Sequence, residues 1–229
     1  MKLGVIIPCY NGARTIATQL EALASQCWDE PWEVVVADNG STDDSVAIVE
    51  RYRDRLPGLR VVEARDRRGA PHALNVAARS SGAEALAFCD ADDEAGEGWV
   101  AAIGRALERH DFVASRFETR RLNPAWSARP HGQERGLSPY RDPPYLPHAG
   151  QCGLGIRRTL FESVGGFDES LLLLHETDLC WRLQLAGTEL HFVPDAVMHI
   201  RFRSTLRGIY HQALGYAEYN VVLYKRYRA

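Results

Sequence analysis

The chain has 229 residues, about one and a half times a typical domain, and reads as one domain with a small appendage. Its 27 Lys and Arg against 30 Asp and Glu leave a formal net charge of −3, which excludes the uniformly basic surface of a protein that coats nucleic acid. Hydrophobic residues at 45% and charged residues at 25% exclude a disordered or fibrous chain.

The first half alternates strand and helix. Leu3 to Ile7 is an apolar run, a short buried strand that Pro8 should end. Ala13 to Ser25 places Ile16, Leu20 and Leu23 at helical spacing. Glu33 to Ala37 is a second, β-branched strand, and Asp38-Asn39-Gly40 a turn. Ser41 or Thr42 is expected to cap a helix carrying Val46, Ile48 and Val49. Leu59 to Glu63 is a third strand, Ala70 to Ser81 a helix stopped by Gly82, and Ala85 to Cys89 a fourth strand. Such alternation predicts a parallel sheet with helices on both faces, and ligands at the carboxyl ends of its strands.

The second half is less regular. Residues 120–150 hold six of the eleven prolines, at positions 124, 130, 139, 143, 144 and 147, which predicts a long loop or a chain of turns. Helical spacing resumes over Arg157 to Val164 and Glu176 to Ala186, a strand follows at Glu189 to Val193, and Pro194-Asp195 reads as a turn. Thr205 to Tyr224 repeats apolar residues at helical spacing. The five cysteines are odd in number and never form a C-x-x-C pair, so a disulfide framework and a four-thiolate zinc site are not expected. No stretch reaches about 18 apolar residues, so no membrane span is expected, and the N-terminal apolar run is too short for a signal peptide.

The sharpest chemical signal is Asp90-Ala91-Asp92-Asp93, directly after the fourth strand. Three carboxylates in four residues repel one another unless a cation neutralises them. In an extended segment Asp90 and Asp92 share a side, and hard oxygen ligands there suit Mg²⁺ or Mn²⁺ shared with a diphosphate. A solvated acidic turn is the structural alternative. The chain has no G-x-x-x-x-G-K-[ST] loop, no G-x-G-x-x-G after the first strand and no G-x-S-x-G elbow. Its first turn offers Pro8-Cys9-Tyr10-Asn11 instead, with a ring and an amide that could stack on and bond a base.

These residues carry a resemblance. Val5 to Gly12, Val34 to Asp43, Arg68 to Ala78, Phe88 to Asp93, Val164 to Glu169 and Glu176 to Leu183, in that order, resemble the motifs of a family 2 glycosyltransferase. The resemblance covers about residues 3–205. It implies an α/β GT-A fold, with one Rossmann-like, mostly parallel central sheet flanked by helices and an acceptor-side subregion. The transferase domain would be residues 1–205, with a nucleotide-sugar half at about 1–95 and an acceptor half at about 96–205; residues 206–229 would be a C-terminal helix. The implied activity moves a sugar, hexosyl or deoxyhexosyl, from a nucleotide-diphosphate sugar to a hydroxyl acceptor by metal-dependent single displacement with inversion. A non-catalytic nucleotide-sugar binder and a nucleotidyltransferase on a similar sheet are the rival readings.

Residue by residue, the resemblance implies that Pro8, Tyr10 and Asn11 bind the nucleotide and that Asp38 contacts the base. It brings Arg67 or Arg68 to the nucleotide or its phosphates, Asp90 to the ribose, and Asp92 to the metal, Mg²⁺ or Mn²⁺. Asn11 and Asp38 could equally be turn formers. Related sequences read E-D-x-D-L-C-W-R where this chain has His175-Glu176-Thr177-Asp178-Leu179-Cys180-Trp181-Arg182. Glu176 thus falls on the family's catalytic base, with Asp178 the rival; positions two apart on a helix lie on different faces, so the two are not expected to share one job. A His near position 199 supplies a third metal ligand in some relatives, so His199 is either that ligand or structural. Gly150, Gln151 and Cys152 match the acceptor side.

Residues 200–229 carry six basic residues and one acid, Glu218, with five of the nine tyrosines. Such a helix could pack on the core, pair with a second copy, clamp an anionic acceptor or lie on an anionic membrane surface. The acceptor could be a saccharide, a lipid-linked saccharide or a small molecule. The expected setting is cytoplasmic, free or at the inner face of the membrane, with no nucleic-acid partner.

Overall fold

Eight strands form one sheet in a computed structural model that describes residues 1–128, 130–140 and 145–228. In chain order they are β1 (Leu3–Cys9), β2 (Trp32–Asp38), β3 (Arg60–Glu63), β4 (Ala85–Phe88), β5 (Glu94–Ala95), β6 (Phe112–Glu118), β7 (Leu154–Arg157) and β8 (His191–His199). The helices are α1 (Ile16–Ala24), α2 (Ser45–Glu50), α3 (Ala70–Ser80), α4 (Trp99–Leu107), α5 (Arg158–Ser163), α6 (His175–Leu185) and α7 (Leu206–Arg228). The sheet order is β3-β2-β1-β4-β7-β6-β8-β5. Strands β1 to β4, β6 and β8 run one way; β7 and β5 oppose them. The sheet is therefore mostly parallel, as the alternation predicts.

The β1 and β2 runs are apolar at consecutive positions because both faces of the sheet are covered. Val5 and Ile7 pack into one layer with Leu20 of α1 and Ile103 of α4. Ile6 between them points into the other, with Leu74 of α3 and Trp181 of α6.

Pro8 does not end β1; the strand runs on to Cys9. The Cys9 carbonyl accepts from Asn39 N–H on the β2 side. Alternation therefore turns the Pro8 nitrogen toward β4, where pairing has already stopped at Ile6 and Phe88. No ladder donor is lost, and the proline is tolerated. Pro194 and Asp195 likewise lie inside β8 rather than in a turn. The register jumps from Ser115–Val193 to Arg116–Val197, and the bulge absorbs the proline.

Neither Ser41 nor Thr42 caps α2, which starts at Ser45; the Asp43 carboxylate accepts from Ser45 N–H at 3.1 Å instead. Four elements, β5, α4, β6 and β7, lie where the pattern predicts none. Between β6 and β7 the proline-rich segment holds a 3₁₀ turn at Gly132–Glu134 and an isolated bridge between Ser138 and His148; Pro143 and Pro144 lie outside the described residues. Among the described residues no helix is long and apolar enough to cross a membrane.

Candidate active site

The carboxyl ends of β1 and β4 open into a cavity of about 770 Å³. Its floor is Pro8 to Gly12, at and just past the end of β1, and Asp90 to Asp93 after β4. The start of α6, the 148–152 segment and residues 200–204 complete most of the wall.

The first loop is tied to the loop after β2. Asn11, in the left-handed region at φ 50°, donates its N–H to Ser41 Oγ at 3.0 Å, and its Oδ1 accepts from Thr42 N–H at 2.8 Å. Gly12 N–H donates to Ser45 Oγ at 2.8 Å and Ala13 N–H to Asp43 Oδ2 at 3.0 Å. Tyr10 keeps 51% of its surface open, with the Arg68 guanidinium 5.9 Å above its ring. A flat group entering here would meet an aromatic face backed by a cation.

Asp38, Arg67 and Arg68 do not line the cavity. Asp38 closes its own turn, accepting from Ser41 N–H at 3.1 Å, and Arg67 is paired with Glu169 at 3.2 Å. The residue of that turn that does face the cavity is Asn39. Its amide donates to the Ala64 and Arg67 carbonyls and its Oδ1 accepts from Gly69 N–H, which pins the 64–69 segment at the rim.

The acidic run supplies the cavity's charge. Asp93 is buried, and its Oδ1 accepts from Arg201 N–H at 2.8 Å. Burial and the neighbouring Asp92 push its carboxyl up to about 7. Burial, reinforced by Asp93, Asp92 and Glu176, raises Asp90 well above the usual carboxylate range. Burial and the same two acids, Asp93 and Asp90, raise the Cys152 thiol. Donor atoms of Asp90, Asp93 and Cys152 all lie within 4.8 Å of one another. Clustered carboxylates whose charge is this costly fit a hard divalent cation, which would restore their ionised form. Asp92 also lines the cavity, 3.9 Å from the Arg203 guanidinium. His199 does not: its Nδ1 is 2.8 Å from Glu118 Oε2, held across the β6–β8 pairing.

Glu176 enters from the first turn of α6, half-buried. Leu174 precedes that helix at φ 58°, an uncommon conformation for a branched side chain, and this turn delivers His175 and Glu176 to the cavity. Burial holds the His175 imidazole below its ordinary pKa, and its Nδ1 is 3.7 Å from the Glu176 carboxylate. Asp178 points the other way. It is fully buried and does not line the cavity; one oxygen accepts from Arg182 at 2.7 Å, the other from Arg226 at 2.7 Å and Tyr227 at 2.6 Å. Gln151 and Cys152 line the cavity, whereas Trp181 is a core residue whose indole N–H bonds the Leu146 carbonyl at 2.9 Å.

Two contributors carry no signal in the sequence beyond helical spacing: Gln212 and Tyr216 of α7 face the same cavity. Tyr216 keeps 39% of its surface open; desolvation within the cavity raises its phenol, with Glu176, Cys152 and Asp90 adding to the rise and Arg203 opposing it.

Residues 4–165 match the model of a family described as glycosyl transferase family 2. The chain is 35% identical over 111 residues to the uncharacterized glycosyltransferase YfnE of Bacillus subtilis, 48% of this chain and 28% of that protein. It is 40% identical over 95 residues to the poly(ribitol-phosphate) β-N-acetylglucosaminyltransferase TarS of Staphylococcus aureus, 41% of this chain and 16% of that one. The chain thus matches less than a third of either relative's length. Among solved structures, the mannosyltransferase PcManGT from Pyrobaculum calidifontis, in complex with GDP-Man and Mn²⁺, superposes with a TM-score of 0.69 at 26% identity, covering 89% of this chain and 58% of that one. On its sheet, its motifs and the family match over residues 4–165, the chain is a GT-A-fold member of glycosyl transferase family 2.

Proposed function

We propose that the chain transfers a hexosyl or deoxyhexosyl unit from a nucleotide-diphosphate sugar to a hydroxyl acceptor, in one displacement with inversion at the anomeric carbon. The observation that carries the reading is the convergence of Asp90, Asp92, Asp93 and Glu176 in one cavity with the Pro8–Gly12 loop. Family membership supports it.

In this reading the nucleotide lies on the β1 side, against Pro8, Tyr10 and Asn11, with Arg68 reinforcing the Tyr10 face. Asp38 and Arg67 serve this region by shaping its turns, and Asn39 does the same from inside the cavity. Mg²⁺ or Mn²⁺ would be held by the acidic run, Asp90 and Asp93 with Asp92 at the open edge. When bound, it supplies Lewis-acid stabilisation of the charge on the departing diphosphate.

Glu176 is the base. Its carboxylate takes the proton from the acceptor hydroxyl as that oxygen bonds to the anomeric carbon. The bond from that carbon to the diphosphate oxygen breaks on the opposite face, and the electron pair leaves with the nucleotide diphosphate. Glu176 suits the task because it faces the cavity, whereas Asp178 is already neutralised by two guanidinium groups. The neutral His175 beside it leaves the Glu176 charge unpaired and available.

A nucleotide-sugar panel tests the reading. Melting curves with UDP-, GDP- and dTDP-sugars, each with and without Mn²⁺, are expected to show metal-dependent stabilisation by at least one donor. A ligand at about 100 times its Kd adds roughly 2.7 kcal/mol. Absence of any such shift, together with no release of nucleotide diphosphate, would overturn it.

A further inference from the structure

The C-terminal helix reads in sequence as an appendage, yet it forms a wall of the cavity. Gln212 and Tyr216, one turn apart on α7, both line it. The approach is close and built for: a Cβ on Gly215 would lie 2.7 Å from Leu173 Cδ1, in the segment that leads into Glu176. The far end of α7 is latched to α6 by Arg226 and Tyr227 on Asp178, and Arg226 also reaches Asp168 at 2.8 Å. The helix is thus held against the cavity at its middle and at its C-terminal end.

The chemistry of this wall differs from that of the floor. The floor is acidic and suits a cation with its diphosphate. Beyond its acids the cavity is lined by the phenol of Tyr216, the amides of Gln212 and Gln151, and the ring of Phe117. Neutral hydrogen-bonding groups beside aromatic faces match the alternating hydroxyl edges and apolar faces of a sugar ring. Residues 212–216 of α7 carry no basic side chain, and Arg203, ahead of the helix and acting on the Tyr216 phenol, lies 3.9 Å from Asp92.

Position decides which substrate this wall serves. A base must sit within hydrogen-bond reach of the hydroxyl it deprotonates, so the space beside Glu176 and away from the β1 loop belongs to the acceptor. Tyr216 and Gln212 line the cavity together with Glu176, across from the acidic floor. Resting on the glycosyl-transfer reading above, we infer that α7 completes the acceptor subsite and that Tyr216 and Gln212 contact a saccharide acceptor. Tyr216 donates through its hydroxyl and offers its ring face, and Gln212 bonds a second hydroxyl.

The test uses the full chain with Mn²⁺ and whichever nucleotide sugar stabilises it. Methyl α- and β-hexopyranosides and a β-1,4-linked disaccharide serve as acceptor probes, with product followed by mass spectrometry. Tyr216→Ala and Gln212→Ala are expected to raise the acceptor KM at least ten-fold, with the donor KM within two-fold of the parent. Tyr216→Phe, which keeps the ring and the fold, is expected to raise it about three-fold or more. Unchanged acceptor KM in all three variants would overturn the inference while leaving the glycosyl-transfer reading intact. So would a parent chain that binds donor yet glycosylates none of the saccharide probes. A parent chain that binds no nucleotide sugar would overturn the reading on which the inference rests.

Discussion

Arg226 Nη1 lies 2.7 Å from Asp178 Oδ1, joining the last turn of α7 to the first turn of α6. Tyr227 and Arg182 complete the shell around that buried carboxylate. Removing one member of a buried, hydrogen-bonded charge cluster typically costs about 3–5 kcal/mol; here the guanidinium groups keep some access to water, so about 2–4 is expected. Asp178→Ala should therefore lower Tm by roughly 5–15 °C, at about 2–4 °C per kcal/mol for a chain of this size. A melting curve checks it. Unchanged Tm with lost turnover would return Asp178 to candidacy as the base.

Glu176→Gln keeps the shape and hydrogen-bonding reach of the side chain but not its basicity. Donor affinity should stay within about two-fold, while the transfer rate falls by roughly 10²–10⁴, the range of general-base contributions. Steady-state kinetics with separate donor titration reads both.

The acidic run is strained by its own charge. Asp93, held at about 7, is raised above its unfolded value. Its ionisation therefore opposes folding as pH climbs from about 4 toward 7, and the penalty is complete above that. In chelator at pH 8, Asp93→Asn should raise Tm by about 2–8 °C, equivalent to ~1–2 kcal/mol. The same substitution should erase the stabilisation that Mn²⁺ gives the parent chain. A variant that is less stable in chelator, or that keeps its Mn²⁺ increment, would remove Asp93 from the cation site.

Glu33 shows the opposite sign. Burial alone would raise its carboxyl, but hydrogen bonds from Arg60, Lys2 and Ser81 outweigh burial and hold it at about 2. Its contribution is present above about pH 4.5 and is lost as pH falls toward 2. Glu33→Gln should cost ~1–3 kcal/mol at pH 7 and flatten the acid limb between about pH 4.5 and 2. Urea melts at several pH values would show it; parallel pH profiles for the two proteins would contradict it.

Gly104 sits in the interior of α4, where Gly→Ala usually stabilises by up to about 1 kcal/mol. Here an added Cβ would lie 2.3 Å from the Trp28 ring, so Gly104→Ala should instead destabilise by roughly 1–3 kcal/mol. In a Trp28→Ala background the same substitution should become neutral or stabilising. That reversal, read in a double-mutant cycle, isolates the contact.

The half of the fold legible in sequence is the half where strands are buried on both faces. Runs such as Val34-Val35-Val36 announce themselves, and the Asp90–Asp93 run marks a strand end, whereas α3 leaves the helix at Ser81, ahead of the expected stop at Gly82. Strand β7, Leu154–Arg157, and β6, Phe112–Glu118, are short or mixed in character, and their pairing is fixed by neighbours distant in sequence. Local pattern does not encode that. In the site, Glu176 was readable as a motif position, but its separation from Asp178 depended on which face of α6 met α7. For His199 the sequence leaves a ligand and a structural role open, and the Glu118 pairing of its Nδ1 is fixed by the β6–β8 register, which no local pattern encodes. Tyr216 and Gln212 were hidden because a tyrosine or glutamine at helical spacing looks the same whether it meets solvent, core or cavity.

The cross-bonds between the first two loops, Asn11 with Ser41 and Thr42 and Gly12 with Ser45, bear on how the protein spends conformational freedom. A mobile loop that grips a ligand surrenders backbone entropy at the moment of binding, which weakens the grip. These loops have surrendered theirs during folding, so a ligand seated on them keeps more of its interaction energy. The other rim is made by one long helix whose first turns are exposed, with Leu206 and Tyr210 open to solvent, while its last turn is latched to α6. The donor side is thereby the rigid jaw of this molecule, and the first turns of α7 the part with room to yield.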